Sequence, residues 1–251
     1  MWLRKRSWAW RVALGGMAVV LVGGWWAVRA LREPALWSEL YVPPAFAMPR
    51  DFDLGAYRLS WRGNGFDLYA AGAARAPLWR SEDGFLGAGR ERDGSLLLRC
   101  QEQSLESFEL IGRRLALKGH LRCEDGRLSA YEMSFEPVQD AVAVRIVLAD
   151  AELNRVALSW RREEGERLSG IVDDDAEGSS RTLPAGVAGY WSSAGNAFLG
   201  ASTAPQSIDL REPGRVQWRA AAQSARAWLF VAANREQWQL RHTRLEAETR
   251  R

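Results

Sequence analysis

From about residue 51 onward, apolar and polar residues alternate along the chain. "RRLALKGHLRC" puts Leu115, Leu117, Leu121 and Cys123 on one face and Arg114, Lys118, His120 and Arg122 on the other. "AVAVRIVL" groups Val142, Val144, Ile146 and Leu148, and "YRLSWR" and "FDLYA" behave alike. Gly63-Asn64-Gly65, Asp83-Gly84, Asp93-Gly94, Asp125-Gly126 and Pro213-Gly214 supply turn signals between these runs. Period-two alternation with closely spaced turns predicts a mainly β fold, an antiparallel sandwich or barrel, and excludes an alternating α/β architecture. We assign a β-sandwich to residues 51–233. The pattern then changes: "NREQWQLRHTRLEAETRR" sets Trp238, Leu240 and Leu245 among good helix formers, and Asn234 with Gln237 fits an N-cap and its partner. This predicts a short C-terminal helix over 234–251.

The N-terminal pattern is of another kind. Val12 to Val28 carries no charge, is flanked by Arg11 and Arg29, and has Trp8 and Trp10 at one edge and Trp25 and Trp26 at the other. A run of 17 apolar residues with aromatic edges predicts a single transmembrane helix at the short end of the usual length. The basic residues of segment 1–11 keep that end cytoplasmic and send the body across a bacterial inner membrane into the periplasm. A cleaved signal peptide is the alternative, but Arg29 and the Trp25-Trp26 pair make a poor cleavage site. Residues 29–50 hold four of the nine prolines within 31–50 and read as a linker.

Charge alters the picture once the tail is set apart. Removing Arg4, Lys5, Arg6 and Arg11 takes the formal net charge from +3 to −1. A near-neutral body lacks the concentrated positive footprint that nucleic-acid binding needs. Arginine outnumbers lysine, which occurs only at Lys5 and Lys118, and along the sequence the arginines are scattered. Cys100 and Cys123 both fall on apolar strand faces; an exported compartment permits a disulfide between them, and a buried pair of thiols is the alternative.

Candidate chemistry is sparse. His120 and His242 suit solvated positions, and no GxSxG, HExxH, P-loop or GxGxxG context occurs. No catalytic residue and no cofactor is therefore assigned. The acidic stretch beginning at Asp173 lacks the spacing of an EF-hand loop, which leaves a solvated loop as the better reading of it. Tryptophan offers a flat face for stacking on sugar rings and is equally a core residue. Trp191 sits after "AGVAGY" in a stretch that reads as irregular, so Trp191, Trp79 and Asp173 are the candidate ligand-binding residues.

The order of these runs resembles the N-terminal, galactose-mutarotase-like β-sandwich of family-31 glycoside hydrolases. "FDLYAAGAARAPLWRSEDGFLGAG" is similar to early strands of that domain, and "FELIGRRLALKGHLRCEDGRLSAYEMSFE" to its central long pair. "AVAVRIVLADAELNRVALSWRREEGERLSGI" resembles the run into the family's E-R-f-x-G-x-G-E-Q signature, and Ser193–Trp218 its closing strands. After Glu166-Arg167-Leu168-Ser169-Gly170 the signature departs, with Ile171-Val172-Asp173-Asp174 in place of Gly-Glu-Gln. The family's nucleophile and acid lie in a (β/α)8 barrel, so neither maps onto a residue here. The resemblance, with its catalytic barrel absent, and the apolar N-terminal run together lead us to expect a membrane-anchored, non-catalytic sandwich that binds a carbohydrate or protein partner outside the cytoplasm. The accessory half of a split family-31 hydrolase and a structural or assembly factor of the envelope are the alternatives.

Overall fold

The computed structural model describes residues 48–71, 76–170, 180–183 and 185–249. The expected membrane segment Val12–Val28, most of the linker, and Asp173 lie outside these residues. Among the described residues no helix is long and apolar enough to cross a membrane.

The expected mainly β fold with one short C-terminal helix is what forms. Three strands, β1 (Arg50–Asp53), β2 (Tyr57–Trp61) and β3 (Phe66–Ala70), make an antiparallel meander that hands over to the first residues of β4 (Trp79–Arg92). The Asp83-Gly84 turn signal is corrected here: β4 runs straight through it. Gly84 takes a left-handed φ of 63°, and the pairing of β4 with its neighbour slips nearby. An irregularity of this kind re-aims a long strand without ending it. Trp79 and Arg80 can thus pair with β3, while Leu86–Gly89 pair in the main sheet.

The main sheet is built from β4, β5 (Ser95–Gln103), β6 (Ser107–Ile111), β7 (Arg114–Cys123), β8 (Leu128–Val138), β9 (Ala141–Leu148), β10 (Arg155–Arg161), β11 (Leu168–Gly170), β12 (Ser180–Leu183), β13 (Gly186–Ser192), β14 (Asn196–Ser202), β15 (Gln206–Asp209), β16 (Arg215–Ala220) and β17 (Ser224–Val231). One antiparallel ladder runs β12-β15-β16-β10-β4-β5-β7-β8-β9-β17-β14-β13-β11. It folds over so that its two halves face each other. Phe85, Leu158 and Trp160 of one half meet Met133, Val144, Phe198 and Leu229 of the other around a common gap. Phe198 lies 4.9 Å from Trp160 and 5.3 Å from Trp218 between ring centroids. The alternation in β7 and β9 is as expected: Leu115, Leu117, Leu121, Val142, Val144, Ile146 and Leu148 are all buried.

The fold-over occurs between β5 and β7. Cys100 pairs directly with Cys123 across this ladder, and the two form a disulfide. A buried chain of hydrogen bonds reinforces the corner. Leu86 N donates to Gln103 Oε1 (3.2 Å), Gln103 Nε2 donates to the Tyr131 hydroxyl (2.8 Å), and that hydroxyl donates to the Ser104 carbonyl (2.8 Å). Burial pushes the Tyr131 phenol up to about 12, so it remains a donor at any physiological pH. Gly119 is required opposite: a Cβ there would lie 2.1 Å from the Ser104 carbonyl oxygen.

Helix α1 (Arg235–Thr249) begins where the sequence places it. Asn234 Oδ1 accepts from Gln237 N, and Gln237 Oε1 accepts from Ala233 N, each at 3.0 Å. Its Trp238 and Leu245 close over Ala197, Leu199, Ala201, Trp228 and Phe230 on the outer side of β14 and β17, forming a second core. His242 Nε2 donates to the Val187 carbonyl at 3.0 Å.

Two outcomes follow. Reducing the 23-residue-separated disulfide lowers unfolding free energy by about 3 kcal/mol, read as the shift between urea titrations with and without dithiothreitol. Trp238→Ala removes a buried ring and costs about 3 kcal/mol, with proteolysis then cutting first within 235–249.

Candidate functional site

The outer face of the β16-β10-β4 half carries a groove of about 590 Å³. Period two builds it. In "RVQWRA" of β16, Val216, Trp218 and Ala220 point into the core, which turns Arg215, Gln217 and Arg219 outward. β10 lies between β16 and β4, with Ala157 opposite Arg219 on one side and Gly87 on the other. Gly87, Ala88 and Ala157 leave a low floor, and Arg99, Arg155, Arg211, Arg215 and Arg219 stand around it.

The electrostatics centre on Asp209, 8 % exposed at the end of β15. Arg211 Nε donates to its Oδ1 at 2.9 Å, and Arg219 reaches its Oδ2 at 2.8 Å. The Arg211 hydrogen bonds, helped by the charge of Arg219 and opposed by burial, lower the Asp209 carboxyl to about 2. Arg219 is held below its ordinary value, chiefly by burial, with the neighbouring Arg155 and Arg211 charges adding to the effect. Arg155 pairs with Glu91 at 2.7 Å and Arg215 with Glu212 at 2.7 Å, while Arg99 stands 3.9 Å from Glu124. Two guanidinium groups thus share one carboxylate, and among the described residues a third has only a distant acidic partner.

Along the sequence these arginines are dispersed over more than a hundred residues, and only strand pairing gathers them. The one local signal was the Arg-x-x-x-Arg spacing of Arg215 and Arg219, which strand alternation sends to one side.

Of the residues singled out from sequence, Trp79 and Trp191 are not gathered here, and Asp173 lies outside the described residues. Trp79 is 4 % exposed between the two halves, 4.9 Å from Trp160 and 6.0 Å from Phe198. Trp191 is half-buried beneath α1, 5.5 Å from Trp238. The stretch expected to be irregular is strand β13. Its alternation is blurred because both faces are covered, Ala188 and Tyr190 by the main core and Val187 and Trp191 by the helix. Gly189 is needed there because a Cβ would lie 1.9 Å from the Phe198 carbonyl oxygen.

Within the signature-like stretch, the buried Glu166 has its carboxylate fully engaged. It accepts from Glu163 N at 2.9 Å, from Asn196 Nδ2 at 3.1 Å and from the Ser192 hydroxyl, tying the β10–β11 loop to the β13–β14 turn. Among the described residues no group of His, Cys, Asp and Glu side chains is placed to hold a metal ion.

The chain shares its fold with part of a family-31 glycoside hydrolase. A family-31 sulfoquinovosidase from E. rectale, in complex with an aza-sugar inhibitor, superposes with a TM-score of 0.51 at 11% identity, covering 67% of this chain and 31% of that one. The α-N-acetylgalactosaminidase NagBb from Bifidobacterium bifidum gives 0.46 at 14% identity, over 74% of this chain and 36% of that one. The Slr1438 protein from Synechocystis sp. gives 0.43 at 10% identity, over 74% and 96%. The chain therefore spans about a third of the two glycosidases. No protein-family profile matches it, and no curated protein matches it in sequence. The fold expected from the resemblance, that of a partial domain of these hydrolases, is the fold observed.

Asp209→Asn leaves the half-buried Arg219 without its carboxylate and destabilises the protein by about 2 kcal/mol at pH 7. The carboxyl falls from 3.8 when unfolded to about 2 when folded. Its contribution is complete above pH 4 and is lost as pH falls through 2. Urea titrations of both proteins converge over that window.

Proposed function

We propose that the chain is a non-catalytic carbohydrate-binding module, tethered to the bacterial inner membrane by Val12–Val28 with its sandwich held in the periplasm. The observation that carries this reading is the groove on the outer sheet face, with a low floor at Gly87 and Ala157 and polar walls that include Gln101, Gln217 and Asp209. Its volume falls in the range of small-ligand sites. Amide and carboxylate walls supply partners for sugar hydroxyls. Binding is favoured over hydrolysis because the groove's buried carboxylate, lowered to about 2 by Arg211, carries no proton to give a leaving group near neutral pH. The uncharged run and the basic residues before it support the tether and its orientation.

A second reading draws on the fold comparison: the sandwich, matching about a third of a hydrolase, serves a catalytic barrel carried on another chain. An envelope structural factor is a third, with no groove ligand.

The test is to pass detergent-solubilised full-length protein over a panel of immobilised neutral and acidic oligosaccharides while assaying for released reducing ends. Retention without hydrolysis is the expected result. Hydrolysis by a co-purifying barrel chain moves the assignment to the second reading, and no retention on any glycan overturns the first.

A further inference from the structure

Resting on the carbohydrate-binding reading, we infer that the groove selects acidic saccharides, those bearing a carboxylate or sulfate group, and that Arg211, Arg219 and Arg99 receive the anion.

Three observations carry this. The first is the count of opposite charges: five guanidinium groups line the groove against two carboxylates, Asp209 and Glu212. Glu91 and Glu124 approach two of the arginines from outside the groove, and one of those approaches is 3.9 Å. The second is that Asp209 is shared, with Arg211 and Arg219 both bound to it. One carboxylate cannot neutralise two guanidinium groups, so this trio presents a residual positive charge to the groove. The third is accessibility. The Arg211 side chain is 61 % exposed and Arg99 50 %, so both can turn toward a ligand, while the floor beneath them is too low to obstruct it. Guanidinium presents a planar fork that matches a carboxylate or sulfate edge with two parallel hydrogen bonds, and charge-assisted bonds of this type are the strong ones. A neutral sugar offers these guanidinium groups only uncharged acceptors and leaves the residual charge uncompensated. An acidic one compensates the charge already there.

The experiment is titration calorimetry on detergent-solubilised full-length protein at low salt. The probes are an oligogalacturonate, a neutral galactose oligomer of equal length, and inorganic sulfate alone. The variants are Arg211→Gln, Arg99→Gln and Asp209→Asn. Oligogalacturonate is expected to bind, and either arginine substitution, both at exposed side chains, to weaken it about tenfold. Asp209→Asn is expected to bind it more tightly, since two guanidinium groups are freed. That gain is one that a merely destabilised fold would not give. Equal binding of the neutral and acidic oligomers, unmoved by Arg211→Gln, overturns the charge selection and leaves the carbohydrate-binding reading standing. Sulfate binding as tightly as the oligomer reduces the groove to an ion site and overturns the saccharide assignment. Binding of none of the three probes overturns both.

Discussion

The corner between β5 and β7 is the constraint on which the remaining architecture depends. A single ladder of strands becomes two facing layers only if it turns back on itself, and the turn must satisfy every backbone group it disturbs. Here the Cys100–Cys123 disulfide spans the two strands, and Tyr131 and Gln103 carry hydrogen bonds from β4 through to the Ser104 carbonyl. Gly119 lets that carbonyl approach without meeting a side chain. With the corner closed, Phe198 reaches Trp160 and Trp218, and the central core is complete.

The groove is the outer counterpart of that core. Large rings such as Trp218 and Trp160 fill the inner side of β16 and β10, so those strands leave small or charged residues for the other side. Arginine suits such a site because its stem lies along the sheet while its head group stays in water. Asp209 organises the wall by holding Arg211 and Arg219 near one another despite their like charge.

The opposite half spends its outer face differently. Helix α1 covers it, and Trp238 closes a second core with its ring buried beside Trp191 and His242. Glu166 shows how a motif-like stretch can be retained for packing: its carboxylate is satisfied by one backbone amide and two side chains that lie 26 and 30 residues away. A tryptophan or a glutamate in a suggestive sequence context is therefore a weak guide to a ligand site.

Local chemistry was legible wherever one residue's fate depends on its near neighbours. Alternation in β7 and β9 and the Asn234 cap were readable because strand period and helix start are set within a few residues of chain. The Cys100–Cys123 bond was readable only as an option, since register between separate strands was needed to bring the two thiols opposite each other. The Asp83-Gly84 turn signal failed because Gly84 serves an irregularity within a continuing strand, which composition alone cannot tell from a turn, and the irregular reading of β13 failed because burial on both of its faces blurs the alternation. The sequence by itself determined the strand faces, the terminal helix and the apolar N-terminal run, because each is a periodic or contiguous pattern. Only the tertiary structure decided the arginine groove and the burial of Trp79. Both arise from strands far apart in the chain becoming neighbours, and that adjacency is a property of the ladder order rather than of any local stretch.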